Sequence, residues 1–307
     1  MNVLIEGLGS IAQKHITALR ELMPNVVIYG LRSSTNSNEI EEIINVYSYE
    51  QLLVKPDFII ICTPTQFHRE GIRNAMKLGV PIMIEKPAFH TIDESDEVLI
   101  NELEQKKIKT YVACNLRFHS VLIALNGFLK ENKNRINEVN VYCGSYFPDW
   151  RPNRDYKNMY SAKNDAGGGI NLELIHELDY TLWLFGVPLN SKRVLSSKSS
   201  IDIEAADYAH YLLEYKTFFA TITLNFYRRK IKRSIEILFE NDTWTVDLIN
   251  SLITNDKNEI IFSSDFKVID TYLLQMQHML DIVNNKAESL NSIHNAIDTL
   301  KICLADG

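Results

Sequence analysis

The chain has 307 residues, of which 46% are hydrophobic and 23% are charged, and its formal net charge is −7. This length supports a large core and more than one domain. The acidic balance excludes nucleic acid as the main partner, because binding of phosphates needs a basic face. The four cysteines are scattered without a Cys-x-x-Cys spacing, so we expect them to be reduced and buried, with no metal site.

The first twenty residues lack the basic segment of a signal peptide, and Glu6 and Gly7 interrupt their apolar start. No apolar run is long enough to span a membrane. We therefore expect a cytoplasmic protein with no membrane partner.

The segment Gly7–Ala12 follows the apolar run Val3–Ile5 and opens a helical pattern that continues to Leu22. In a turn from strand to helix, the first glycine permits the tight bend and the second lets the backbone approach a pyrophosphate. The phosphates then face the free N–H groups at the helix start. This order predicts a dinucleotide site with Gly7, Gly9, Ser10 and Ile11 as contacts, the alternative being an ordinary strand–helix turn.

Short β-rich runs alternate with helical patterns through residue 115. The runs are Val26–Tyr29, Phe58–Ile61, Val80–Ile84 and Lys109–Ala113. Continuous apolar strands are typical of a parallel sheet covered by helices on both faces. We predict a doubly wound α/β domain over residues 1–118.

From about residue 120 the pattern changes to long strands that follow one another through short turns. Predicted helices are Ser120–Asn132, Asn171–Leu184, Tyr272–Asn284 and Ser289–Leu304, and predicted strands are Glu138–Phe147, Tyr208–Tyr215, Phe218–Asn225, Ser234–Phe239 and Thr243–Leu248. This favours an α+β domain over residues 119–307 with an open, mainly antiparallel sheet.

The second strand is followed by Arg32, Ser33 and Ser34 where an NAD-binding domain usually offers an acid to the adenosine ribose. An arginine without a nearby carboxylate favours the 2′-phosphate of NADP. NADP is therefore slightly favoured over NAD, and the alternative is that Arg32 is a solvated loop residue.

Two later loops lie at carboxyl ends of predicted parallel strands, where open α/β sheets bind ligands. The first contains Thr63, Pro64, Thr65 and His68, which we predict to contact the cofactor. For His68 taken alone, a histidine at a helix N-terminus is the favoured interpretation. The second contains Glu85 and Lys86. An acid and a lysine at a strand end are costly to bury unless they are paired or used.

The second domain contains Gly167–Gly169 directly before the helix that starts at Asn171. Glu173, His176 and Asp179 recur at every third position and are predicted to share one polar stripe. A solvated helix face or an interior histidine would explain the same pattern.

Taken together, these motifs resemble the Gfo/Idh/MocA oxidoreductases in order and spacing over essentially the whole chain. The motifs are GxGxxA, Cys-Thr-Pro-x-x-x-His, Glu-Lys-Pro, Asn115-Leu116-Arg117-Phe118 and the glycine run with His176-Glu-x-Asp179. The resemblance implies a Rossmann domain, a sheet-forming C-terminal domain that often builds an oligomer, and NAD(P)-dependent oxidation or reduction of a sugar or cyclitol. The segment Trp150–Pro152 and the run 173–186 resemble members associated with bacterial surface-polysaccharide sugars.

The resemblance also implies roles for individual residues. Lys86 corresponds to the lysine beside the nicotinamide, His176 to the catalytic histidine, and Glu85 and Asn115 to cofactor contacts. Where many members place an aspartate four residues before the histidine, this chain has Leu172 and then Glu173. Glu173 is the candidate replacement.

The loop 146–163 is rich in aromatic and basic residues, and we expect a sugar-binding lid there or simply a surface loop. The predicted substrate contacts are Arg117, Trp150, Arg151, Tyr156, Lys163 and Asp179. The dense basic run Arg228–Arg233 is interpreted as a solvated strand edge, with contact to nucleotide-sugar phosphates as the alternative.

Two other functions fit the same fold. One is a non-enzymatic protein that senses a dinucleotide or sugar, and the other is a glycosidase that retains and recycles NAD. A dehydrogenase acting on a sugar, cyclitol or nucleotide-sugar, with Lys86 and His176 at the reacting oxygen, remains the favoured prediction. A homodimer or homotetramer is expected because few helices follow to cover the second face of the sheet.

Overall fold

The computed structural model describes residues 1–34, 40–164 and 167–305. The chain forms two compact units. One contains Met1–Asn115 with Ile269–Ile297, and the other contains Leu116–Val268 with the described residues from Asp298 onward.

The first unit is built on a parallel sheet whose strands are almost entirely apolar. Its strands are β1 Asn2–Glu6, β2 Val27–Leu31, β3 Ile44–Val46, β4 Phe58–Ile61, β5 Ile82–Ile84 and β6 Thr110–Val112, in the order β3-β2-β1-β4-β5-β6. Val3–Ile5 and Phe58–Ile61 are fully buried, as the continuous runs predict for a sheet covered on both faces. The doubly wound prediction is confirmed.

The helices of this unit are α1 Ser10–Leu22, α2 His68–Met76, α3 Glu94–Gln105 and α7 Asp270–Val283. Helix α7 packs against α1, and Lys14 Nζ lies 4.5 Å from the centre of the Tyr272 ring. The sequence-based boundary at 118/119 placed this helix with the second domain. Chain order does not decide the partner of an amphipathic helix, since any complementary apolar face buries it equally well.

The second unit is built on a larger mixed sheet. Its strands are β7 Ile136–Tyr146, β8 Asn190–Ser196, β9 Tyr208–Glu214, β10 Phe219–Asn225, β11 Tyr227–Phe239, β12 Thr243–Asp247, β13 Leu252–Thr254 and β14 Ile260–Ser263, in the order β14-β13-β12-β11-β7-β10-β9-β8. Only the β7–β10 pair is parallel among the described strand pairs of this sheet, so the prediction of a mainly antiparallel sheet is confirmed.

The two faces of this sheet differ sharply in exposure. Val141, Ile222 and Ile235 share one face through register pairing and are buried beneath helices. On the other face Leu212 is 38% exposed and Phe219 is 50% exposed. The described residues therefore cover one face of the sheet and leave the other face, called here the open face, in contact with solvent.

The remaining helices are α4 Ser120–Glu131, α5 Ile170–Glu173, α6 Ile175–Phe185 and α8 Ile293–Leu304. The single helix predicted over 171–184 is broken at Leu174, whose ψ of 35° leaves the helical range. Glu173 thus lies in α5 and His176 in α6, and the prediction of one continuous polar stripe is wrong. None of the helices in the described ranges is both long and apolar enough to cross a membrane.

Candidate active site

The glycine turn between β1 and α1 has the geometry that a phosphate site needs. Gly7 has a φ of +84°, and a Cβ there would lie 2.8 Å from the backbone nitrogen of Thr63. Gly9 precedes α1, and no side chain of the described residues caps the helix start. The first N–H groups of α1, from Ser10 and Ile11 onward, are thereby left for an anion.

A cavity of about 880 Å³ opens beside this turn, entirely within the first unit. Its walls include the predicted contacts Gly7, Arg32, Ser33, Thr63 and Pro64. The hydroxyl of Thr63 is buried and has no hydrogen-bond partner among the described residues. Because a buried polar atom without a partner is costly, this hydroxyl fits a ligand that supplies one.

The cavity also contains charged residues that sequence reasoning missed. These are Glu6, Glu50, Glu70 and Lys77. Arg32 donates from Nε to Oδ1 of Asn45 at 2.5 Å, which fixes the guanidinium at the end of β2. Ser34 and Thr65 are described but do not line this cavity.

His68 is buried and connects two loops at the edge of the sheet. Its Nε2 lies 2.9 Å from the carbonyl oxygen of Thr63, and its Nδ1 lies 3.1 Å from that of Pro87. Burial lowers the pKa of His68, and its backbone hydrogen bonds only partly offset that effect. The side chain therefore holds the Thr63 loop against the Lys86–Pro87 loop.

Glu85 and Lys86 follow β5 at the same edge of the sheet. Glu85 is buried, with Oε1 2.6 Å from Nε2 of His15 and Oε2 accepting a hydrogen bond from the Lys86 backbone N–H at 3.2 Å. Asn115, also buried, donates to the Thr271 hydroxyl at 2.6 Å. The cost of burying Glu85 is thus offset by pairing, and Lys86 itself is half-buried.

In the second unit, His176 lies in the first turn of α6 and is half-buried. Glu173 accepts a hydrogen bond from the Ser161 hydroxyl at 2.5 Å. Gly168 admits no side chain, because a Cβ there would lie 2.3 Å from the Tyr160 carbonyl oxygen. The glycine run is therefore needed where the loop passes close to the start of α5.

Two ion pairs with buried carboxylates hold α6 just after His176. Asp179 takes a bidentate contact from Arg117, with distances of 2.7 and 2.9 Å, and Glu177 accepts from Arg233 Nε at 2.6 Å. Glu177 is fully buried and was not among the predicted residues. Its sequence signals are its place beside His176 on a mostly apolar helix and its presence in the motif His176-Glu-x-Asp179.

The basic run Arg228–Arg233 lies on β11, which pairs with β7 on one side and with β12 only from Ser234 onward. Among the described residues, the stretch of β11 from Arg228 to Lys232 therefore has no partner strand on the β12 side, as the interpretation as a strand edge requires. Arg229 lies 3.6 Å from the centre of the Tyr146 ring, and Arg233 reaches the opposite way to Glu177. The two ends of the run therefore lie in different surroundings.

In the predicted lid, the aromatic residues are fixed and the cations are exposed. Trp150 donates from Nε1 to the Ser145 hydroxyl at 2.8 Å, and Tyr156 donates to the Ile201 carbonyl at 3.1 Å. Arg151 and Lys163 are exposed. Within the described ranges, no group of three or more His, Cys, Asp or Glu side chains is placed to hold a metal ion.

Comparison with known proteins decides the family. Residues 1–113 match the model of the oxidoreductase family with an NAD-binding Rossmann fold, GFO_IDH_MocA, and residues 132–245 match the GFO/IDH/MocA C-terminal domain. The chain belongs to the GFO/IDH/MocA family.

Two named relatives are dehydrogenases. The chain is 27% identical over 180 residues to scyllo-inositol 2-dehydrogenase (NADP(+)) IolW of Bacillus subtilis, which is 58% of this chain and 46% of the relative. It is 26% identical over 206 residues to D-glucoside 3-dehydrogenase of Escherichia coli, 61% of this chain and 55% of the relative. The chain spans about half the length of the curated relatives it matches.

Solved structures share the whole fold. UDP-N-acetylglucosamine 3-dehydrogenase GnnA from Acidithiobacillus ferrooxidans aligns with a TM-score of 0.79 at 17% identity, covering 100% of this chain and 96% of that protein. The WlbA dehydrogenase from Bordetella pertussis, in complex with NADH and UDP-GlcNAcA, aligns with a TM-score of 0.82 at 16% identity, covering 99% and 94%.

Proposed function

We propose that this protein is an NAD(P)-dependent oxidoreductase that acts on a CH–OH group of a sugar, cyclitol or nucleotide-sugar. The observation that carries the proposal is the uncapped start of α1 behind Gly7, beside a cavity in which the buried Thr63 hydroxyl lacks a partner among the described residues. The named relatives are dehydrogenases of a cyclitol and of a glucoside. Of the two structural neighbours, GnnA is named as a UDP-N-acetylglucosamine dehydrogenase and WlbA was solved in complex with UDP-GlcNAcA. These names support the substrate class.

The dinucleotide is held, in this proposal, by the first unit. Its phosphates meet the start of α1, its adenosine end occupies the cavity lined by Arg32 and Ser33, and Glu85, Lys86 and Asn115 serve its other end. When bound, the nicotinamide supplies the hydride chemistry. Arg32 favours NADP, since a guanidinium contributes most when it meets a phosphate.

The residues at the reacting oxygen are proposed to be Lys86 and His176. A hydroxyl that loses hydride from its carbon must release its proton at about the same moment, and a base that touches the oxygen accepts it. His176 is that base, and it returns the proton in the reverse direction. The ammonium of Lys86 stabilises the alkoxide charge that develops. Glu173, fixed by Ser161, orients the histidine.

The substrate is proposed to meet the loop 146–163. Trp150 and Tyr156, already anchored by hydrogen bonds, offer rigid faces for a sugar ring, and the exposed Arg151 and Lys163 offer charge to its anionic groups. Arg117 and Asp179 form a bidentate ion pair with each other. Their proposed contribution to substrate binding is to fix the position of α6.

The deciding experiment incubates purified protein with NAD or NADP and a panel of free sugars, cyclitols and nucleotide-sugars, and follows the absorbance of reduced nicotinamide. We expect stoichiometric reduction with at least one member of the panel. Cofactor that binds without any turnover would instead support a sensing protein. Cofactor that stays bound while a glycoside is cleaved, without net reduction, would support a glycosidase. Either result contradicts the proposal.

A further inference from the structure

The cavity beside the glycine turn contains a carboxylate in an unusual place. Glu6 is the last residue of β1 and directly precedes Gly7. Its Oε2 accepts a hydrogen bond from the Tyr49 hydroxyl at 2.7 Å. A Cβ on Gly71 would lie 3.0 Å from the same oxygen, so the carboxylate packs against the backbone of α2. Glu6 is therefore held in the wall of the cavity.

Glu6 and Arg32 lie close together at the carboxyl edge of the sheet. Glu6 pairs in register with Leu31, and Arg32 follows Leu31 directly. Both residues line the same cavity. Rossmann domains that select NAD usually place an acid at the end of the second strand. This chain has a cation there and places its acid one strand away.

The partial burial of Glu6 disfavours its charged form but reduces the screening of that charge by water. Burial raises the pKa of the Glu6 carboxyl, the hydrogen bond from Tyr49 partly reverses that shift, and the nearby charge of Glu70 raises the pKa further. A carboxylate shielded from water acts over a longer distance than one on an open surface. The cations in the walls of the same cavity are Arg32 and Lys77.

We propose that Glu6 sets cofactor specificity: its carboxylate repels a 2′-phosphate in this cavity and so limits the preference for NADP that Arg32 provides. This inference rests on the proposed function, because it needs a dinucleotide in the cavity. It assigns the discrimination between NADP and NAD to the opposite charges of Glu6 and Arg32, which lie at the ends of neighbouring strands.

The test compares the wild type with Glu6→Gln by fluorescence titration with NADPH and with NADH at about pH 8, where a free carboxyl is ionised. Glutamine keeps the shape of the side chain and its hydrogen bond from Tyr49. We expect the ratio of the NADPH Kd to the NADH Kd to fall roughly tenfold in this variant. Glu6→Asp retains the charge and should stay within about twofold of the wild-type ratio.

The matched control is Glu102→Gln, which removes the same charge from the exposed surface of α3, outside the cavity. Its ratio should equal that of the wild type. A Glu6→Gln ratio that is unchanged, or equal losses for both nucleotides, would overturn the inference while leaving the proposed function intact. Failure of the wild type to bind either nucleotide would overturn the proposed function itself.

Discussion

The Nε2 atom of His15 lies 2.6 Å from Oε1 of Glu85, and both residues are buried. His15 belongs to α1, whose start forms the proposed phosphate site, and Glu85 directly precedes the proposed catalytic Lys86. One short polar contact therefore joins the two segments that the cofactor would touch. Tyr272 of α7 packs edge-on against the same imidazole.

We expect His15→Ala to lower the free energy of unfolding by about 2–4 kcal/mol, because it leaves the Glu85 carboxylate buried without its partner. Urea denaturation measures the loss. The control is His294→Ala, which breaks the contact with Glu104 at 2.9 Å between two exposed side chains and should cost less than about 1 kcal/mol. Equal losses of unfolding free energy in the two variants would show that burial of the His15–Glu85 pair does not add to stability.

Lys86→Ala and His176→Ala should each reduce kcat by roughly two to four orders of magnitude, as removal of an electrostatic or acid–base group does. In a fluorescence titration His176→Ala should bind the cofactor with nearly the wild-type Kd, and Lys86→Ala should change that Kd far less than it changes kcat. The matched control for the lysine is Lys192→Ala, at an exposed position of the edge strand β8, which should leave kcat unchanged. A variant of Lys86 or His176 that turns over at nearly the wild-type rate would remove its residue from the mechanism.

Arg32→Ala should weaken NADP binding by roughly tenfold or more and change NAD binding little, because the guanidinium meets a phosphate only in NADP. The measurement is the Kd for each nucleotide. The control is Arg20→Ala, in the last turn of α1 and outside the lining of the cavity. Similar losses for both nucleotides would contradict the assigned role of Arg32. So would a wild-type protein that prefers NAD.

The open face should form the contact between copies of the chain. Leu212 and Phe219 are exposed there, and an apolar sheet face of this kind is typical of an interface. Light scattering at micromolar concentration should show a dimer or tetramer for the wild type and a smaller species for Leu212→Glu/Phe219→Glu. Leu53→Glu, at an 84% exposed position of the first unit, should not change the assembly. A monomeric wild type would refute the prediction.

Stability should fall as the pH drops below about 6.5, the ordinary pKa of histidine. Burial is the main cause of a lowered pKa at five histidines: His68, His90, His119, His210 and His278. Between the lowered pKa and the ordinary value the unfolded chain binds more protons than the folded chain, so acid favours unfolding. The raised pKa of the Glu6 carboxyl has the opposite effect, because it stabilises the folded chain as the pH falls. This effect lies at lower pH than that of the histidines, since the ordinary pKa of glutamate is lower than that of histidine.

Urea titrations at about pH 7.5 and 5.5 should therefore differ by on the order of 1 kcal/mol or more in the free energy of unfolding. His68→Gln should reduce that difference, since it removes a titrating ring that is only 1% exposed. A free energy that is constant or rises on acidification would be incompatible with neutral, buried histidines.

The sequence was sufficient for features that depend on local pattern. The apolar runs predict the parallel sheet, and the spacing of Gly7 and Gly9 predicts the turn that the structure contains. Glu85 and Lys86 directly follow an apolar run, which predicts that they lie at the carboxyl edge of the sheet. Each of these inferences needs only neighbouring residues and the regular geometry of strands and helices.

Features that depend on contacts between distant segments could not be predicted from the sequence. Pairing of Glu177 with Arg233 joins residues 56 positions apart, and nothing in either segment specifies the other. For His15 a signal was present, because it occupies the buried stripe of α1 with Ala12, Ile16 and Leu19. A histidine on an apolar stripe indicates a buried partner, but the stripe alone does not identify Glu85.

The paired arginines of the second unit restrict how His176 can move. Glu177 and Asp179 leave α6 in different directions around its axis, and each is tied to a guanidinium on another element. Turning the helix to bring His176 closer to a ligand would stretch at least one of these buried contacts. We therefore expect the imidazole of His176 to move toward a ligand by rotation about its own side-chain bonds, while α6 stays in place.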